Sequence, residues 1–244
     1  MTKVLIWARS WIYLLAFVIW TASFSIVCLP ALIKRKWALV IAKVWVRGIM
    51  FLAKTIVGID AVTTGREHVP QGPCIIAAQH QSSYETYRMF LELDRPTFVL
   101  KRELIFIPVI GWFMTRIGLI GINRSAGAGA MRKVLREAQA ALDAGHQLII
   151  FPEGTRTSPG TVRPYRPGIA ALYAYCNAPI IPMALNSGVL WGKTRVLKLP
   201  GTIEFRFLPP LPPGMDNASG ASRTYRLCRG GYWVNLTAVI LLIH

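Results

Sequence analysis

The sequence predicts an α/β domain: a mixed, mostly parallel sheet flanked by helices, preceded by a two-helix hydrophobic membrane anchor. Three observations carry this reading. Beyond Gly58, short apolar runs alternate with stretches of helical periodicity, the pattern of strands covered on both faces by helices. Residues 10–33 carry no charge. The 244-residue chain is 53% hydrophobic with mean hydropathy +0.42, too apolar for an ordinary soluble domain. Its length suits one domain with an appendage.

The uncharged run would span roughly 36 Å as a helix, enough for the ~30 Å hydrocarbon layer. It is long for a signal peptide, and no convincing cleavage site follows it. Lys3 and Arg9 flank one end, and Lys34, Arg35 and Lys36 the other. The denser second cluster keeps the following domain cytoplasmic if the helix spans; a hairpin that dips in and returns is also allowed. From Trp37 to Ile59 the pattern changes. Lys36, Lys43, Arg47 and Lys54 fall within roughly 40° of one another on a helix. A narrow basic stripe on an apolar helix suits the lipid interface. The alternative is a second buried helix with one solvated edge.

Strands are expected at Cys74–Ala78, Thr97–Leu100, Leu119–Ile122, Leu148–Phe151, Ile180–Leu185 and Thr202–Leu208. The clearest helix runs from about Ala128 to Ala144. Val134, Leu135, Ala138, Ala141 and Leu142 give it helical spacing, and Gly145 stops it.

Lys and Arg outnumber Asp and Glu 28 to 11, a net charge of +17. Such an excess favours an anionic partner. Nucleic acid fits poorly, because the cations sit among long aliphatic runs and no nucleic-acid motif is present. Cys28, Cys74, Cys176 and Cys228 are scattered without a CxxC, which reads as reduced packing residues in a cytosol-facing protein.

The chemistry-bearing residues lie at or just past expected strand ends. In PCIIAAQHQSSYE, residues 73–85, an apolar run delivers His80 to the end of a strand. Glu85 can fold back onto the imidazole from the helix that follows. A carboxylate on one ring nitrogen sets the tautomer and raises the basicity of the other, making a general base. Lys101 opens a second block, with Pro108 and Gly111 bending the connection toward Arg124. A third strand runs into Phe151-Pro-Glu153-Gly154-Thr155-Arg156. There Gly154 allows φ > 0 and Arg156 offers a planar donor fork suited to phosphate. A fourth block, Ile181-Pro182 to Asn186-Ser187, is another strand opening on Pro. Parallel strand ends gather on one sheet edge, so one crevice can hold a base, a carboxylate and several cations. Ser82 and Ser83 lie in no G-x-S-x-G elbow and fit cap or turn roles better than a nucleophile's.

His-x4-Glu, the Lys-x-Glu-Leu…Pro…Gly…Arg block, FPEGTR 71 residues after the His, and the late Pro strand stand in the order seen in the glycerolipid acyltransferases. Over residues 60–210 the chain resembles their lysophosphatidic acid acyltransferase branch in bacteria. The family more often has Asp and Asn where Glu85 and Gln79 stand here.

The resemblance implies that His80 is the general base and Glu85 its orienting carboxylate. Arg156, with Lys101 and Arg124, would hold the substrate phosphate. Glu153, Gly154 and Thr155 would shape that loop, Glu153 facing a glycerol hydroxyl or a cation. The implied reaction transfers an acyl group from acyl-CoA or acyl carrier protein to lysophosphatidic acid, with no metal or other cofactor and no nucleic-acid partner. Backbone amides near the start of the helix after His80 are candidate oxyanion donors. The implied location is the inner, cytoplasmic membrane, with the catalytic domain facing the cytoplasm. Acylation of another lyso-lipid such as lyso-ornithine lipid, hydrolysis by His80-activated water, and non-catalytic membrane binding are the alternatives. The organisation expected is 1–59 anchor helices, 60–213 acyltransferase domain and 214–244 an atypical tail. That tail reads as a membrane-touching segment or an altered reading frame.

Overall fold

The computed structural model describes residues 2–30, 34–107, 109–123, 127–161, 168–176, 178–192 and 196–211. The tail call on 214–244, Arg124 and Pro108 lie outside these residues.

A seven-stranded sheet organises the domain. Its strands are β1 (Ile59–Thr64), β2 (Cys74–Ala78), β3 (Pro96–Lys101), β4 (Ile120–Ile122), β5 (Gln147–Ile150), β6 (Ile180–Leu185) and β7 (Gly201–Phe207). Their spatial order is β1-β7-β6-β2-β5-β3-β4. Every neighbouring pair is parallel except β6 and β7. β2, β5 and β6 are buried along their whole length, which is why they read as unbroken apolar runs. β7 buries Ile203, Phe205 and Phe207 and exposes the residues between them. The sequence did not flag β1. It buries only Ile59, and Thr63 and Ala61 fill the rest of its inward face, so its alternation carries little hydrophobic contrast.

Helices cover both faces. α5 (Gly127–Asp143) buries Val134, Ala138 and Leu142, one turn apart, with Ile75, Leu148 and Ile180. It ends at Gly145, whose φ of 80° a residue with a Cβ adopts at a cost. α6 (Gly168–Tyr175) joins that layer through Leu172. On the other face lie α3 (Tyr84–Glu92), packed with Ile76, Ile149 and Ile181, and α2 (Arg35–Leu52). α4 (Ile110–Ile117) packs on α2, and the short α7 (Ser187–Leu190) on β7.

The N-terminal helices differ in role. α1 (Lys3–Val27) is the one helix among the described residues long and apolar enough to cross a membrane, and little of it is buried. α2 instead contributes Ala38, Ala42, Val46 and Ile49 to the main core. The core therefore runs without a break across the 59/60 boundary. Its basic stripe is partly spent on the domain. Lys43 Nζ donates to the Leu93 and Asp94 carbonyls at 2.9 and 3.1 Å, and Lys54 pairs with Asp60 at 2.7 Å. Trp37, Val40, Val44 and Phe51 remain exposed on the side of α2 away from the core. Cys74 and Cys176 are free and buried, in keeping with packing roles.

Candidate active site

β2 ends at Ala78, and a short turn carries His80 past the sheet edge into α3. Glu85 sits in the first turn of α3, fully buried, and its Oε1 lies 2.9 Å from His80 Nδ1. An ionised carboxylate only accepts hydrogen bonds, so Nδ1 carries the proton and Nε2 is left to accept one. Oε1 also accepts the Gln81 and Ser82 amides at 2.8 and 2.7 Å. Oε2 accepts the Ser82 hydroxyl at 2.5 Å and the Ser187 hydroxyl at 2.7 Å. These donors take the place of the solvent that burial removes from the carboxylate. The amides of Gln81 and Ser82 are thus spent on Glu85. Ser82 Oγ also accepts the Tyr84 amide at 3.0 Å, the turn role foreseen for it.

The other strand ends fasten this turn. Thr157 donates its amide to the His80 carbonyl at 2.7 Å and its hydroxyl to the same oxygen at 3.2 Å. Gln81 Nε2 donates to the Leu185 carbonyl at 3.1 Å, and its Oε1 accepts the Gly188 amide at 2.9 Å. The imidazole stacks on Phe151, with centroids 4.1 Å apart and planes 20° from parallel. Ring position is thus set by a carboxylate at its edge and an aromatic face beneath it.

After β5, the Gly154 amide donates to the Phe151 carbonyl at 2.9 Å, closing a turn in which Gly154 has φ 64°. The turn buries Glu153, whose carboxyl is pushed up by desolvation. Backbone N–H groups of Glu153 and His80, and the His80 charge, act in the opposite direction. One of its oxygens, Oε2, is buried without a hydrogen-bond partner among the described residues. Glu153 therefore sits behind the turn and supports it.

A largely apolar cavity of about 1040 Å³ opens at this edge. His80, Lys101, Gly154, Thr155 and Arg156 line it together. Its remaining wall comes mainly from α1, α2, α3, α4, α5 and the strands between, with Phe24, Trp45, Phe90 and Phe113 among the side chains. Arg156 is half-buried, and among the described residues its guanidinium has no carboxylate partner. Lys101 is mostly exposed and pairs with Glu103 at 3.4 Å. Among the described residues no cluster of His, Cys, Asp and Glu could hold a metal ion.

Of the described site residues, His80, Lys101, Gly154, Thr155 and Arg156 meet at the cavity, Glu85 backs His80, and Glu153 lies behind the turn and off the cavity wall; Arg124 lies outside the described residues. Sequence reasoning missed Ser187, Thr157 and the stacking face of Phe151. Ser187 lies two residues past the end of β6, so the strand-end rule that found His80 could have placed it.

A family model described as Acyltransferase matches residues 61–186, from β1 to the residue after β6. This chain belongs to the acyltransferase family. The acyltransferase is 34% identical over 189 residues to the 1-acyl-sn-glycerol-3-phosphate acyltransferase of Pseudomonas aeruginosa, covering 78% of this chain and 73% of that one. It is 31% identical over 169 residues to 1-acyl-sn-glycerol-3-phosphate acyltransferase alpha of Mus musculus, covering 68% of this chain and 59% of the mouse protein. The crystal structure of the 1-acyl-sn-glycerophosphate (LPA) acyltransferase PlsC from Thermotoga maritima superposes with TM-score 0.71 at 20% identity, covering 90% of this chain and 93% of that one. At that identity the likeness establishes a shared fold.

Proposed function

We propose that this acyltransferase moves a fatty acyl group from a thioester to the free hydroxyl of 1-acylglycerol 3-phosphate, giving phosphatidic acid. The carrying observation is the His80–Glu85 pair, its Nε2 without a partner among the described residues, at the polar end of an apolar cavity that Arg156 also lines. Nε2 removes the proton as the acceptor hydroxyl attacks the thioester carbonyl. The C–O bond forms, the tetrahedral intermediate collapses with loss of thiolate, and the imidazolium returns its proton to sulfur. Thiolate is a good leaving group, so neither an enzyme nucleophile nor a metal is needed. Glu85, charged and buried, stabilises the imidazolium. Acyl chains occupy the apolar cavity while the phosphate meets Arg156, assisted by Lys101. The acyl donor is acyl-CoA or acyl-acyl carrier protein. α1 holds the enzyme at the cytoplasmic face of the inner membrane.

The test is a panel of lyso-lipids and thioesters with mass-spectrometric product detection. His80→Ala should lose on the order of 10²–10⁴ in rate; activity within a fewfold of wild type would overturn the base assignment. Wild type should prefer a phosphorylated acceptor over one lacking phosphate. Arg156→Lys should weaken that preference and Arg156→Ala largely erase it, because only the guanidinium grips phosphate through two parallel bonds. Wild-type preference for a phosphate-free acceptor such as lyso-ornithine lipid would replace this reading.

A further inference from the structure

A short 3₁₀ helix (Arg102–Phe106) follows β3 and precedes α4. Three large apolar side chains off the cavity wall stand exposed, Phe106 at 69%, Ile107 at 39% and Trp112 at 54%, and Leu104, at 40%, lies at the cavity mouth. This stretch is anchored through Ile105. Ile105 lies so close to Gly111 and Gly121 that a Cβ at Gly111 would fall 1.8 Å from the Ile105 carbonyl oxygen. The same stretch turns Leu104, Ile110 and Phe113 into the cavity. It therefore has one face on the cavity and one in the open.

From this we infer that the outward face of residues 102–107 and 109–112 is a second membrane contact, a lip that seats in the head-group region of an anionic lipid leaflet. Charge argues for that occupant. Lys101, Arg102 and Arg116 border the apolar side chains, against Glu103, and Trp112 and Arg116 share one face of α4. The Arg102 guanidinium lies over the Phe106 ring at 5.8 Å. A cation at the level of an exposed aromatic ring matches the head-group boundary, where stems and rings sit in lipid and charges reach phosphate. A second copy would bring like charges together, in a chain of net charge +17. The neighbouring elements also expose apolar side chains. α4 packs on α2, whose outer face shows Val40 and Val44, and α1 and α2 help wall the cavity that α4 lines. An acceptor lipid could then pass from leaflet to cavity past Leu104 without crossing water. That consequence rests on the proposed lipid acylation; the docking does not.

The full chain with Cys28→Ser and Cys228→Ser carries an environment-sensitive fluorophore on Phe106→Cys. A control carries it on Asp143→Cys, exposed at the end of α5 on the opposite sheet edge. On phosphatidylglycerol–phosphatidylethanolamine vesicles, a head-group-level spin-labelled lipid should quench position 106 strongly and position 143 little. Equal quenching overturns the lip. Shielding of position 106 from iodide without vesicles, together with a doubled mass in sedimentation, would assign the patch to a second copy and also overturn it. Phe106→Ser, Ile107→Ser and Trp112→Ser combined should raise KM for a vesicle-embedded acceptor roughly tenfold, leaving kcat on a short-chain soluble acceptor unchanged. An unchanged KM counts against the lip. If wild type acylates neither acceptor, the proposed function fails, and the quenching comparison still decides the docking.

Discussion

Glu85 accepts from the His80 ring, the Gln81 and Ser82 amides, and the Ser82 and Ser187 hydroxyls. Every one of these is a donor, so the site is built for a charged acceptor. Glu85→Gln would turn an NH₂ group toward donors and remove the charge that stabilises the imidazolium. It should lower kcat by roughly 10²-fold or more with little change in KM, while Glu85→Asp keeps part of the activity. Ser187→Ala deletes one charge-assisted bond of 2.7 Å. It should cost about 1–3 kcal/mol in chemical unfolding and a modest share of kcat. Equal stability and rate would show that Ser187 is dispensable to the carboxylate.

Among elements, α1 matters beyond its length. Tyr13 is buried, edge-on to Trp191 at 5.3 Å and under Lys198 Nζ at 5.2 Å. Ser10 Oγ accepts the Lys198 amide at 3.1 Å. The helix is therefore seated on the loop between α7 and β7. Tyr13→Ala should destabilise the detergent-solubilised protein by about 3–5 kcal/mol, as other buried aromatic truncations do. The Tyr13 hydroxyl is buried without a hydrogen-bond partner among the described residues. Tyr13→Phe should accordingly be neutral or stabilise by up to ~1–2 kcal/mol. Marked loss of stability in the Phe variant would mean that the hydroxyl is bonded in solution.

For the molecule as a whole, the excess of cations bears on where it works. A net charge of +17 acts on an anionic surface over about a Debye length. Binding to anionic vesicles should exceed binding to zwitterionic ones at low salt, and the gap should close as ionic strength rises. What remains at high salt measures the apolar contact of α1 and the lip. Co-sedimentation across a salt series reads both components; a gap indifferent to salt would remove charge from the account.

Much of this was legible in the linear chain. Strands buried on both faces leave unbroken apolar runs, so β2 and β6 could be bounded to the residue and β5 to within one. His80 and Glu85 are close in sequence, and a single turn brings them together. Gly154 announces its positive φ by being Gly. Periodicity reports how far a residue is buried, however, and not against what. That Ser187 completes the shell of a carboxylate 102 positions away depends on β6 lying beside β2. That Thr157 holds the His80 carbonyl depends on β5 lying on its other side. The same limit applies to α2. Its apolar face and basic stripe read as an interfacial helix with a buried helix as the alternative, and only packing decided that Ala38, Ala42, Val46 and Ile49 belong to the core. Local sequence sets which residues seek burial or a charge partner; the order of strands and the docking of helices determine which partners they reach.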